Sequence, residues 1–196
     1  MKVLGNLKKG LVFVISAPAG TGKTTLVRML TGEFPEAVVE SISFTTRKIA
    51  PGEVSGRDYF FLTPEEFEER FRVGEFLESA TLFGHHYGTS KAQVLKEQKA
   101  GKHVALVIDT QGAMKLKAEK FPAIFIFVAP PSLEELKKRL VKRQRESKEN
   151  IEERLNFAAH EMEKAREYDY LIINDSLKPA YEVLRSIFIA EEHKVL

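Results

Sequence analysis

The sequence predicts an α/β fold, a parallel sheet flanked by helices on both faces. Three observations carry that expectation. Continuous apolar runs recur at Leu11 to Ile15, Val104 to Ile108, Ala123 to Val128 and Tyr170 to Ile173, and unbroken runs of this length mark strands buried on both faces. Helical patterns separate these runs, and strands alternating with helices build parallel sheets. A glycine-containing turn joins the first run directly to a helix expected from about Lys23 to Glu33.

Taken in order, further helix starts are legible from capping pairs. Thr63 with Glu66, Ser90 with Gln93 and Ser132 with Glu135 each place a hydroxyl three residues before a carboxylate or amide, which satisfies two orphan backbone donors. Between Val38 and Thr89 the α/β rhythm breaks. Pro51, Gly52, Gly56, Gly74, Gly84 and Gly88 punctuate short strand-like pieces such as Tyr59-Phe60-Phe61, with one helix near Pro64 to Arg72. This stretch reads as an insertion forming a small, partly antiparallel subdomain. From Lys137 to Lys148, seven basic residues stand against the single acid Glu146. By itself such a run is a solvated helix face.

The bulk numbers exclude several classes. With 196 residues and 43% hydrophobic content the chain can bury one good core, and one unit with insertions is expected. Its 30 basic and 28 acidic residues nearly cancel, which removes the general case for nucleic acid or membrane binding. The absence of cysteine excludes disulfides and thiolate metal sites and fits a reducing, cytoplasmic setting. The apolar run Leu11 to Ile15 is shorter than the about 7–15 residues a secretion signal needs. The later run Ala123 to Ala129 is far below the roughly 20 that span a bilayer. A soluble protein is expected, monomeric or homodimeric.

The chemistry begins at Ala17-Pro18-Ala19-Gly20-Thr21-Gly22-Lys23-Thr24, followed by Thr25. This fits G-x-x-x-x-G-K-[ST], with Ala17 in the first glycine position. Gly20 and Gly22 let the backbone turn its N–H groups toward an anion, and the following helix adds its positive end. Lys23 reaches the β- and γ-phosphates of ATP, and the Thr24 hydroxyl suits Mg²⁺. A strand before and a helix after are the context the motif requires, so the chain reads as a P-loop protein. Ala17 is tolerated provided its φ is negative. Asp109 ends the run Val104 to Ile108, where a parallel strand meets the phosphate crevice. It can cap the next helix; beside a phosphate loop, holding magnesium or positioning an acceptor is preferred. His85 and His86 lack a third ligand at convincing spacing and read as ordinary histidines.

Five further segments complete the series: Ser43-Phe44-Thr45-Thr46-Arg47, Pro51 to Tyr59, Glu75-Phe76-Leu77-Glu78, His86-Tyr87-Gly88-Thr89 and Ile108 to Gly112. Together with the loop they resemble guanylate kinase, the family of nucleoside monophosphate kinases that converts GMP to GDP with ATP. The resemblance runs from about Gly10 to Ala190. It implies a core of residues 1–37, 102–130 and 169–196, a GMP-binding subdomain of 38–89 and a helical lid of 131–160. It further implies that Ser43, Glu78 and Thr89 face the guanine, that Arg47, Tyr59 and Tyr87 hold the GMP phosphate, and that Gly88 belongs to the GMP site. Asp109 would lie between acceptor and metal. Arg139, Arg143 and Arg154 match lid arginines that close over ATP, with Lys23 and Arg47 completing the catalytic cations, and Asn174 matches a segment near the adenine.

The guanine assignment has its own chemical logic. Guanine offers N1–H and N2–H as donors beside the O6 acceptor, so the Glu78 carboxylate can accept both while a hydroxyl serves O6. Adenine would leave that carboxylate facing a lone pair, and sites built on such bonds discriminate strongly. Two departures from the family pattern lie on the acceptor side, Ala50 for an arginine and Val107 for an acid; Lys48 or Arg57 is the expected substitute for the missing cation. A related P-loop kinase with another acceptor is therefore the alternative. A non-catalytic scaffold module is disfavoured because the phosphate loop is intact.

Overall fold

The computed structural model describes residues 2–142 and 148–195. Five strands form one all-parallel sheet in the order β2 (Val38–Ser41), β7 (His103–Val107), β1 (Val12–Ser16), β8 (Ile124–Ala129), β9 (Tyr170–Ile173). Alternation along β1 divides the core in two, as a period of two requires. Phe13 and Ile15 pack with Leu26 and Leu30 of α1 (Lys23–Glu33) and with Leu184 and Phe188 of α7 (Leu177–Glu192). Val12 and Val14 pack with Val94 of α3 (Lys91–Lys99) and with Ala113 and Leu116 of α4 (Thr110–Ala118). The sheet is thus covered on both faces, which is why its strands read as unbroken apolar runs.

The insertion forms a second sheet of four strands, ordered β4 (Phe60–Phe61), β3 (Phe44–Thr45), β6 (His85–Ser90), β5 (Phe76–Leu82). Its β3–β6 and β5–β6 pairings are antiparallel and its β3–β4 pairing parallel. Helix α2 (Pro64–Arg72) follows the complete capping box of Thr63 and Glu66, with bonds of 3.2 and 2.8 Å. One boundary differs from expectation. Residues 38–41, assigned with the insertion, pair with β7 as the edge of the main sheet, because Val38 is buried against α1 and β1. The insertion's own sheet begins at Phe44.

Helices α5 (Leu133–Lys142) and α6 (Lys148–Glu163) pack through Leu136, Leu140, Ile151 and Ala158. A 3₁₀ turn at Lys164–Glu167 leads from α6 toward β9. No helix among the described residues is long and apolar enough to cross a membrane.

Candidate active site

The carboxyl end of β1 delivers residues 17–22 to the start of α1. Gly20 and Gly22 both adopt φ of 93°, a region L side chains avoid. Neither has room for a side chain either: a Cβ at Gly22 would sit 2.6 Å from the Asn174 amide, and one at Gly20 3.0 Å from Leu140. Ala17 is not among the residues at positive φ, so the missing glycine costs nothing there. Thr21 is fully buried and donates to the Pro18 carbonyl at 2.8 Å, while Ala19 and the side chains of Thr24 and Thr25 are exposed. Asn174 is also buried. Its amide donates to the Thr21 carbonyl at 2.6 Å, so it fixes the loop's shape as well as lining the neighbouring cavity.

Lys23 donates to the Ala17 carbonyl at 3.2 Å. Burial lowers its pKa, and the carboxylates of Glu161 and Asp109 oppose that shift. Glu161, on the inward face of α6, was not anticipated from the sequence. It accepts from Thr110 at 3.3 Å, and burial raises it to about 7 against the pull of Lys23. Its signal was present in the helix pattern: Ile151, Ala158 and Glu161 recur at spacings of seven and three, placing an acid on a buried stripe. Asp109 does cap α4, its Oδ1 accepting from Gln111 and Gly112 at 2.7 and 3.0 Å. Capping takes one oxygen, and a carboxylate has two. The Asp109 charge acts on both Lys23 and Glu78.

A cavity of about 600 Å³ has walls that include Thr24, Ser43, Tyr59 and Val107, whereas Arg47, Glu78, Tyr87 and Thr89 are not among its lining residues. Glu78 on β5 and Thr89 on β6 are cross-strand partners, and the buried Thr89 hydroxyl donates to the Glu78 carboxylate at 2.6 Å. Burial raises Glu78 to about 7, opposed by the Thr89 bond. Gly112 makes the room: a Cβ there would lie 2.2 Å from Glu78 Oε2. A Cβ on Gly88 would likewise fall 2.8 Å from the Phe76 ring. Arg47 is held by Glu53 at 2.8 and 3.0 Å and lies over the Tyr59 ring at 5.4 Å. Tyr59 and Tyr87 meet at 6.0 Å between ring centres.

The expected substitute for the cation absent at Ala50 is only partly where the sequence suggested. Lys48 is exposed and does not line the cavity. Arg57 does, and so does Arg28 of α1, which sequence reasoning missed. Both grip Asp58, at 2.8 and 2.6 Å, and with the Val54 N–H they hold its carboxyl down at about 2. An ion cluster spanning α1 and the insertion leaves no local sequence signal. His86 bonds Thr81 at 3.0 Å and stacks on Phe67.

The lid arginines are not together. Arg139 donates to the carbonyls of Asn174 and Asp175 at 2.8 and 3.1 Å and walls a cavity of about 490 Å³ with Gly20 and Gly22. Arg154 lies over the Phe83 ring of the insertion. Arg143 falls outside the described residues.

Thr24 belongs both to the glycine loop and to the cavity that Ser43 and Tyr59 wall. A fold and site so arranged define a P-loop nucleotide kinase. The guanylate kinase family profile matches residues 9–191. Over 191 residues the chain is 55% identical to a guanylate kinase of Protochlamydia amoebophila, covering 97% of this chain and 96% of that one. It is 50% identical over 183 residues to a guanylate kinase of Chlamydia felis, covering 93% and 89%. A crystal structure of guanylate kinase from Anaplasma phagocytophilum matches at a TM-score of 0.78 and 31% identity, covering 99% of this chain and 91% of that one. The chain belongs to the guanylate kinase family.

Proposed function

We propose that this chain transfers the γ-phosphoryl group of ATP to GMP, giving ADP and GDP, with Glu78 as the group that selects guanine. The buried Glu78–Thr89 pair is the observation that carries the reading. A carboxylate whose partner is a rotatable hydroxyl can release that bond, accept guanine N1–H and N2–H, and leave Thr89 or Ser43 to donate to O6. The reading extends to dGMP, because the groups assigned to guanine and phosphate are the same in both nucleotides.

In the transfer, an oxygen of the GMP phosphate attacks the γ-phosphorus. The bond to the β,γ-bridging oxygen breaks, and ADP leaves with that electron pair. The attacking phosphate is already an anion, so no side-chain base and no phospho-enzyme are required. The residues position and neutralise. Backbone N–H groups of Ala19, Gly20 and Gly22 cradle the ATP phosphates, Lys23 meets the β- and γ-oxygens, and Arg47 with Tyr59 and Tyr87 holds the GMP phosphate. Arg139 and Arg154 are the described lid cations that would close over the phosphates, and the family resemblance adds Arg143 to them. Thr24 and Asp109 are hard oxygen donors flanking Lys23, the kind of set Mg²⁺ accepts alongside substrate phosphates. That ion would neutralise charge on the β- and γ-phosphates. The substrates place the reaction in purine nucleotide metabolism, and a cytoplasmic setting is part of the proposal.

A coupled assay of ADP release with GMP, dGMP, IMP, AMP, CMP and UMP tests the reading. GMP should be used far better than AMP, with IMP intermediate because it lacks the N2 donor. Equal use of AMP and GMP would overturn the role of Glu78 and favour another acceptor on the same scaffold.

A further inference from the structure

The turn between β5 and β6 contains two residues, Phe83 and Gly84, at φ of 49° and 76°. Positive φ at both central positions is the type I′ hairpin geometry, which favours asparagine, aspartate or glycine. Phenylalanine is a poor occupant of that backbone region, and such outliers cluster where function holds them. Phe83 is also 42% exposed, so burial in the insertion's own core does not explain it. What the ring does touch is the lid. The Arg154 guanidinium lies 5.0 Å from its centre, within the reach of a cation–π contact, and the Phe157 ring meets it edge-on at 5.7 Å.

The position of Arg154 on α6 gives this contact its meaning. Ile151, Ala158 and Glu161 are buried on the inward face of that helix, and Arg154 shares the face, seven residues before Glu161. Seven residues are about two turns, or roughly 10 Å along the axis. Glu161 acts electrostatically on Lys23, so the stripe that carries Arg154 runs from the phosphate loop out to the hairpin tip of the acceptor subdomain.

We propose that Phe83 is a positioning residue for phosphoryl transfer: from the tip of the acceptor subdomain it holds the Arg154 guanidinium against α6, so that the acceptor subdomain and this lid cation move as one. Movement of the insertion onto bound GMP then carries Arg154 toward the transferring group, and an acceptor is coupled to its roof before transfer. The proposal rests on the reading of Arg154 as a cation that stabilises the transferring phosphoryl group.

The test compares steady-state kinetics and thermal unfolding of Phe83→Asn, Phe83→Tyr, Arg154→Ala and the double variant Phe83→Asn/Arg154→Ala. Asparagine suits the turn better than phenylalanine, so Phe83→Asn is expected to keep or raise Tm while kcat falls about tenfold. Phe83→Tyr keeps a ring and should stay within about twofold of the parent. The double variant should be no slower than Arg154→Ala, since both changes remove one coupled unit. The proposal is overturned if Phe83→Asn turns over like the parent, if its kcat loss comes with a lowered Tm, or if its effect multiplies in full with that of Arg154→Ala. Parental turnover in Arg154→Ala would instead remove the transition-state role of Arg154, a separate failure read from that variant alone.

Discussion

Glu78 shows what burial does to a single residue. Its carboxyl titrates near 7 because it is desolvated, despite the bond from Thr89. The folded chain holds that proton more tightly than the unfolded chain does, so the group lowers stability as pH rises from 4.5 toward 7. Guanine reverses the balance, since N1–H and N2–H need the ionised form. KM for GMP should therefore climb as pH falls below about 7, approaching tenfold per unit. The acceptor phosphate titrates nearby, with a second pKa of about 6 as in other phosphate monoesters, and Glu78→Gln separates the two effects. That variant should bind GMP weakly and keep only the shallower slope of the phosphate itself. Identical slopes for parent and variant between pH 5.5 and 8.5 would show that Glu78 is not the titrating group.

At the scale of elements, the site depends on how closely α4 approaches β5. The helix begins at Thr110, capped by Asp109, and its third residue is Gly112. Alanine there would raise intrinsic helix propensity by about 1 kcal/mol. The structure predicts the opposite outcome for function, because the new methyl would fall 2.2 Å from Glu78 Oε2 and push the carboxylate from its place. Gly112→Ala should raise KM for GMP at least about tenfold while KM for ATP changes little. Unchanged KM for GMP would mean that the Glu78 carboxylate can move without loss, and that its seat against α4 is not what selects guanine.

Across the whole molecule, the two ends of the chain are fastened to the sheet by one buried pair. The Leu11 N–H donates to His103 Nδ1 at 3.1 Å, and His103 Nε2 faces Glu192 at 2.5 Å. With Nδ1 occupied as an acceptor, the ring is neutral and donates from Nε2. Glu192 also accepts from the backbone of Gly5 and Asn6 at 2.7 and 2.9 Å. Burial alone would raise its pKa; the bond from His103 and those from Gly5 and Asn6 outweigh it and bring it to about 2. A depressed acid adds stability above its unfolded pKa, here about 3 kcal/mol, and loses it as pH falls from about 4.5 toward 2. Urea midpoints should drop across that window more steeply in the parent than in Glu192→Gln, which should already be less stable at pH 7. A parallel decline in both proteins would remove the latch from the acid response.

The sheet, the phosphate loop and the capped starts of α2, α3 and α5 were legible in the sequence because their causes are local. Val12 to Ile15 lie between two strands and under helices on both faces, so every position is apolar. Gly20 and Gly22 answer a backbone demand, and Thr63 with Glu66 close their box within four residues. Other features were decided only in three dimensions. Val38 to Ser41 look like part of the insertion until the main sheet claims them at its edge. Arg28, Asp58 and Arg57 become an ion cluster only when α1 meets the insertion. Asn174 reaches Thr21 across 153 residues, and Phe83 reaches Arg154 between two subdomains. Local sequence sets which backbone shapes and faces are possible, because hydrophobic period and φ preference act over a few residues. Which side chains then meet depends on packing between distant segments, and that is where burial, charge and the chemistry of this kinase arise.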